Sequence, residues 1–294
     1  MTASSDPSPA GGLTADDVIS ILSLQADRHW VRSLADVGPP PFGLALPPPS
    51  QASLWLAELG VERQDAADIV ATMPSPGTDR AWWWLLERSV HRLANEMGDP
   101  EPWHVSWPDW TAAVAGRTLA QRCYMAHVYL AMLPVTRAWH ASRGVPPEVS
   151  QSSFADLARH LAIHRRIFAS TGIDNAWWLS LSLRGEVYDL GRLQFTYFNF
   201  GSGDQTIWWY PPDEAAERGP GFLAGESCIG VHIPDGSPLT PQACDESFRL
   251  AAEFMPVHFP PPAGQERRLA TCWSWLLDDQ LAAMLPSDSN IVKF

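Results

Sequence analysis

The chain has 294 residues, enough for two domains, and its 46% apolar and 18% charged side chains exclude a mainly disordered polymer. Thirty-three acidic against 20 basic residues give a net charge of −13, which leaves no basic surface for neutralising phosphates and excludes a nucleic-acid partner. The longest apolar stretch, residues 124–135, contains His127 and falls short of the roughly 20 residues that a bilayer-spanning helix needs, so no membrane role is expected.

Residues 1–13 are rich in Ser, Pro, Ala and Gly and lack the basic and apolar regions of a secretion leader, so they read as a floppy tail on a cytoplasmic protein. Helical periodicity starts after Thr14, with Asp16 and Asp17 suited to a first turn and Val18, Ile21 and Leu22 beginning an apolar stripe. The proline runs between Gly38 and Ser50 form an extended connector. Helices follow over Ser53–Leu59, from Gln64, and over Ala81–Met97, the last with Trp84, Leu85, Val90 and Leu93 as core positions. A long helix is predicted over Asp109–Ser142 with a break at Pro134, and Gly144-Val-Pro-Pro closes a helical domain of residues 14–147.

The second domain, 148–294, starts with a helix over Ser153–Ser170 and then changes period. Residues 177–183 alternate in part and read as a strand. Residues 187–200 alternate better, with Leu193, Phe195 and Tyr197 on one face and Arg192, Gln194 and Thr196 on the other. Residues 201–204 read as a turn into a strand over 206–210. Further elements are a strand from Cys228 to Pro234, a helix ending near Met255, a strand over Leu269–Leu276 and a helix over Asp278–Leu285. The fold class is therefore α+β: a helical N-terminal domain followed by a mixed α/β domain with a central twisted sheet.

Fifteen tryptophans are the oddest compositional feature. They supply core and inter-helix packing, or wall an apolar cleft for a ligand tail. The four cysteines form no C-x-x-C pair, so neither a disulfide framework nor a zinc ribbon is expected. His160 and His164 have metal-ligand spacing but no intervening Glu, and Gly225-Glu-Ser-Cys-Ile-Gly misses the spacing of a nucleophile elbow. No metal is expected.

The segment from Cys228 to Met255 carries the most chemistry. Ile229, Val231 and Ile233 point to one side of the strand and Cys228, Gly230 and His232 to the other. Thr240 suits an N-cap and Pro241 a first helical position. The helix start, with Gly236 and the hydroxyls of Ser237 and Thr240, suits an anion as well as an ordinary capped turn. His232, at the strand end, is the candidate proton acceptor; its alternative role is structural, bonded to backbone. Arg192 and Gln194, on one strand face, are candidates for lining an acceptor pocket.

Gly191-Arg-Leu-Gln-Phe, Gly230-Val-His-Ile-Pro-Asp-Gly-Ser-Pro-Leu-Thr, Cys244-Asp-Glu-Ser with Phe254 and Phe259-Pro260, Cys272-Trp-Ser-Trp-Leu-Leu-Asp and Ser289-Asn-Ile together resemble the C-terminal domain of GNAT-like acyltransferases. The preceding helices resemble the N-terminal domain that accompanies it. The resemblance implies a GNAT-type fold and acyl transfer from acyl-CoA to an amine of a small molecule or peptide. It places the cofactor diphosphate at Asp235–Ala243, with Asp235, Gly236, Ser237 and Thr240 as its contacts. Similar chains continue past Ser289-Asn-Ile with another strand, so it also implies a C-terminal domain that stops short. Two other functions fit the residues: a GNAT-like module that binds a ligand or partner without catalysis, and a partner-binding scaffold on the Trp-rich half. Acyl chain, acceptor and oligomeric state are not readable.

Overall fold

A computed structural model describes residues 12–40, 43–99, 106–199, 211–278, 280–287 and 289–293. Thirteen α-helices and four strands follow one another among them. The expected turn at 201–204 and strand at 206–210 lie outside the described residues.

Contacts divide the chain into two compact units. The first is Met1–Met97, Val105–Trp139 and Phe154–Arg184; the second is Gly98–His104, His140–Ser153 and Gly185–Phe294.

The first unit is helical. α1 (Ala15–Ile21) opens with a capping box between Thr14 and Asp17. α2 (Arg28–Ala35), α3 (Pro49–Glu58), α4 (Arg63–Ala71) and α5 (Arg80–Asn95) follow. α1 and α2 pack on α5, where Trp84, Leu85, Val90 and Leu93 are all buried as expected. α6 (Leu119–Ser142) is the central helix. Every residue from Cys123 to Leu133 is buried, so it is apolar on all sides, as a helix surrounded by others must be. It begins ten residues later than expected. Residues 109–118 form turns, in which Asp109 accepts hydrogen bonds from the backbone and hydroxyl of Thr111. Pro134 lies inside the helix and does not end it.

α7 (Pro147–Phe154), α8 (Asp156–Phe168) and α9 (Ala176–Leu183) come next. The structure corrects the strand expected over 177–183: it is helix α9. Asn175 caps it by accepting from the Trp178 N–H, and the Trp178 indole donates to Asp156 at 3.0 Å. A short, almost wholly apolar run satisfies either period, and the cap settles the choice.

The second unit holds a four-stranded sheet in the order β1 (Tyr188–Leu190), β2 (Leu193–Asn199), β3 (Ser227–His232), β4 (Ala270–Cys272). The first three strands are antiparallel and β3–β4 is parallel. α10 (Pro212–Arg218) lies between β2 and β3 in the chain, and α11 (Pro241–His258) makes the crossover from β3 to β4. α12 (Leu281–Met284) and α13 (Asn290–Lys293) are single turns.

The expected single strand over 187–200 is two strands joined by the two-residue turn Gly191–Arg192. Gly191 has φ +81°, the value the first position of such a hairpin turn requires. It also sits where a Cβ would come within 2.8 Å of the Ser247 hydroxyl on α11. Arg192 is therefore not on the strand face with Gln194, as its alternation suggested. The strand expected over 269–276 is only β4, because Ser274 accepts the Leu276 N–H and turns the chain.

α11 packs on the face of Tyr188, Phe195 and Tyr197. Phe254 lies 5.2 Å from Tyr188, and Phe259 stacks on Tyr197 at 5.1 Å. Ser247, fully buried, ties the turn down: it accepts from the Arg192 N–H at 2.7 Å and the Leu193 N–H at 3.2 Å and donates to the Ala243 carbonyl at 2.9 Å. One donor and two acceptor sites are all filled. Ser247→Ala would take the hydroxyl acceptor from the buried Leu193 N–H and the part-buried Arg192 N–H, so urea unfolding should show a loss of about 2 kcal/mol.

Candidate active site

The alternation of β2 and β3 gives the sheet a second, polar face opposite α11. Gln194 pairs directly with His232, and Thr196 with Gly230, so all four positions share that face. Asp189 of β1 and Thr271 of β4 join it through their pairing with Gln194 and Gly230. The Thr196 hydroxyl lies 3.0 Å from Nε2 of His232. Gly230 makes room for this contact, since a Cβ there would overlap the Thr196 hydroxyl and stand 2.9 Å from Nε2. Burial pushes the His232 imidazole down to about 4, so the ring is neutral at neutral pH. Gln194 is buried, and its side-chain nitrogen has no hydrogen-bond partner among the described residues; the same holds for the Thr271 hydroxyl.

After β3 the chain passes through an open loop. Asp235, Gly236, Ser237 and Pro238 are exposed, and apart from Gly236 and its chain neighbours no atom of the described residues lies within 4 Å of where a Gly236 Cβ would be. Thr240 then caps α11, its hydroxyl accepting from the Ala243 N–H at 3.2 Å. Pro241 has no N–H and the Cys244 N–H bonds to the Thr240 carbonyl, which leaves the Gln242 N–H without a partner among the described residues. Among the described residues the first turn of the helix thus presents the Gln242 amide alone without a partner.

Arg192 provides the missing positive charge. From the turn it reaches under this loop, with Nε donating to the Ser237 carbonyl at 2.6 Å and Nη1 to the Pro234 carbonyl at 2.9 Å. Its guanidinium shapes the loop instead of extending the Gln194 face. The candidate residues therefore form two groups in one unit: His232 and Gln194 on the sheet face, and Arg192 with Asp235, Gly236, Ser237 and Thr240 at the loop. Thr196 was visible as the strand neighbour of Gln194, but only the cross-strand register shows that it meets His232.

The thiols do not take part. Cys123 and Cys228 are pushed up to about 12 by burial, and Cys244 and Cys272 are also raised. No cluster suited to a metal occurs among the described residues, and none of their helices is long and apolar enough to cross a membrane.

Two family descriptions match in tandem: the N-acyltransferase N-terminal domain over residues 51–185 and the GNAT-like C-terminal domain over 187–294. Solved structures agree. An acyltransferase mutant in complex with octanoyl-CoA superposes with a TM-score of 0.80 at 34% identity, over 96% of this chain and 79% of the other. An acyltransferase in complex with CoA and 10C-teicoplanin gives the same values. A complex with decanoyl-CoA and teicoplanin has a TM-score of 0.76 at 34% identity, over 96% of this chain and 79% of the other. Among curated proteins none matches. The chain belongs to the GNAT-like acyltransferases with an N-acyltransferase N-terminal domain.

His127, His140 and His232 are each pushed down to about 4 by burial, below the 6.5 of a free imidazole. The unfolded chain thus binds protons that the native state refuses as pH falls below about 6.5. Stability present above that value should drop progressively down to about pH 4. His232→Gln should lower the slope of unfolding free energy against pH by up to about one proton across that window, measured by denaturant titration at several pH values.

Proposed function

We propose that the protein is an acyl-CoA-dependent N-acyltransferase that moves a medium-length acyl group to an amine of a small molecule or peptide. The observation that carries this reading is the likeness, at 34% identity across nearly the whole chain, to acyltransferases in complex with octanoyl-CoA or CoA. The open loop before α11, braced by a guanidinium, supports it.

In this reading the diphosphate lies against the loop at Asp235, Gly236 and Ser237. It meets their backbone amides, the Gln242 N–H and the field of Arg192. The Asp235 carboxylate must point away, since it would repel the ligand. Thr240 acts by holding the helix start. The thioester runs along the parting of β3 and β4. Pairing with β4 ends at Val231 and Cys272, and the Ile229 N–H bonds to Leu269 on that side. By the two-residue alternation the Ile233 N–H points the same way, past the last pair, and is the donor for the carbonyl oxygen of the thioester.

The neutral acceptor amine attacks the thioester carbon and the tetrahedral adduct loses the CoA thiolate. The proton from nitrogen ends on sulfur, leaving amide and CoA thiol. His232, held by Thr196, takes that proton in passing. A base this weak accepts it from the strongly acidic ammonium of the adduct, not from a free alkylammonium. The acid limb of the rate profile then belongs to the acceptor amine. Gln194 lines the acceptor side with its unpaired amide. Related acyltransferases occur in complex with teicoplanin or 10C-teicoplanin, and an amine on a bulky molecule of that kind is the acceptor class proposed here. CoA esters and the absence of disulfides among the four free cysteines fit a cytoplasmic setting.

Titration with CoA, octanoyl-CoA and decanoyl-CoA should raise the melting temperature, and thiol release should follow when an amine is added. A flat titration across all three would leave a binding module without this activity. His232→Ala should lower kcat by about 100-fold or more with CoA binding unchanged, and equal turnover would remove it as the proton acceptor. Arg192→Ala should weaken CoA binding about tenfold, read as a smaller melting shift.

A further inference from the structure

The helical unit carries a half-open pocket of about 170 Å³ that plays no part in the site above. Trp107, Trp110 and Trp177 wall it, and Asp109, Asp174 and Arg122 also line it. The walls are fixed in advance. The Trp110 indole N–H donates to Asp27 at 3.0 Å, and Arg117 holds that carboxylate through two bonds of 2.7 and 3.1 Å. The ring meets Tyr124 edge-on at 5.1 Å. The adjoining turn is pinned where the Ala112 N–H donates to His164 at 3.1 Å.

The charged groups are arranged unevenly. Asp109 uses Oδ1 to accept from Thr111, and Asp174 uses Oδ1 for the His160 ring at 2.7 Å. Among the described residues, Oδ2 of each has no partner. Arg122 has Nε and Nη1 committed to the carbonyls of Thr171 and Arg117, at 2.9 and 2.7 Å, and its Nη2 has no partner among the described residues, so one partly used cation stands against two partly used carboxylates. Indole faces attract cations through their electron density, and two half-used carboxylates add to that attraction. The volume matches that of a cavity of about 150 Å³ that takes up one benzene molecule.

We propose that this pocket binds a ring-sized organic ammonium group. That binding stands apart from the acyltransferase reading. With two carboxylates against one guanidinium in the lining, the pocket favours ammonium rings over neutral ones and takes carboxylates least well.

Calorimetric titration of the full chain with benzylammonium, benzyl alcohol and phenylacetate, without CoA, tests this. The expected result is saturable binding of benzylammonium, about fivefold or more tighter than benzyl alcohol, with phenylacetate weakest. Asp109→Asn with Asp174→Asn should bring the first two to equal affinity while the melting curve persists. If the double variant does not fold, Asp109→Asn alone, at an exposed side chain, must reduce the preference at least about twofold. Equal affinity in the unaltered protein, preference for phenylacetate, or a preference surviving these changes overturns the proposal. CoA binding without ammonium preference would sink this inference alone, and ammonium binding without any response to CoA or acyl-CoA would sink only the acyltransferase reading.

Discussion

The second unit depends on the turn at Gly191–Arg192. Its backbone is locked to α11 by the Ser247 hydroxyl, and its side chain is locked to the loop after β3 by two carbonyls. A hairpin, a crossover helix and the exposed loop between them thereby share one anchor. Gly191 is required twice over, for its left-handed backbone and for its 2.8 Å approach to Ser247. Without the anchor the loop would have no defined shape, because four of its residues are exposed and only Leu239 is buried.

The sheet divides labour between its faces. One carries aromatic side chains against α11 and supplies the packing. The other keeps Gln194, Thr196 and His232 together, with the glycine at 230 as the space they need. Burial is what keeps the imidazole uncharged there, and it also makes that face sensitive to acid. Polar groups without partners are expensive in a buried sheet, so the Gln194 side-chain nitrogen, which has no partner among the described residues, is a costly element of that face.

Much of this was legible from residues alone. Thr240-Pro241 announced the start of α11, and the alternation of Leu193, Phe195 and Tyr197 announced β2. Other features were not legible, for physical reasons. Residues 177–183 are apolar throughout, so neither period stands out, and the Asn175 cap decides for helix. Arg192 continues the alternation of Gln194 and Thr196, but Gly191 bends the chain just before it, which sends the guanidinium to the loop. The meeting of Thr196 with His232 depends on register between residues 36 apart in the chain, which no local pattern encodes. The tryptophans suggested a cleft, and three of them do wall one, but the bracing by Asp27 and Arg117 comes from residues far apart in the chain.

The sulfur chemistry has a practical corollary. Three of the four cysteines are buried and only Cys272 is partly exposed. A chromogenic disulfide reagent added to the native protein should therefore meet at most one thiol per chain, and colour beyond that with substrates present reports a released coenzyme thiol.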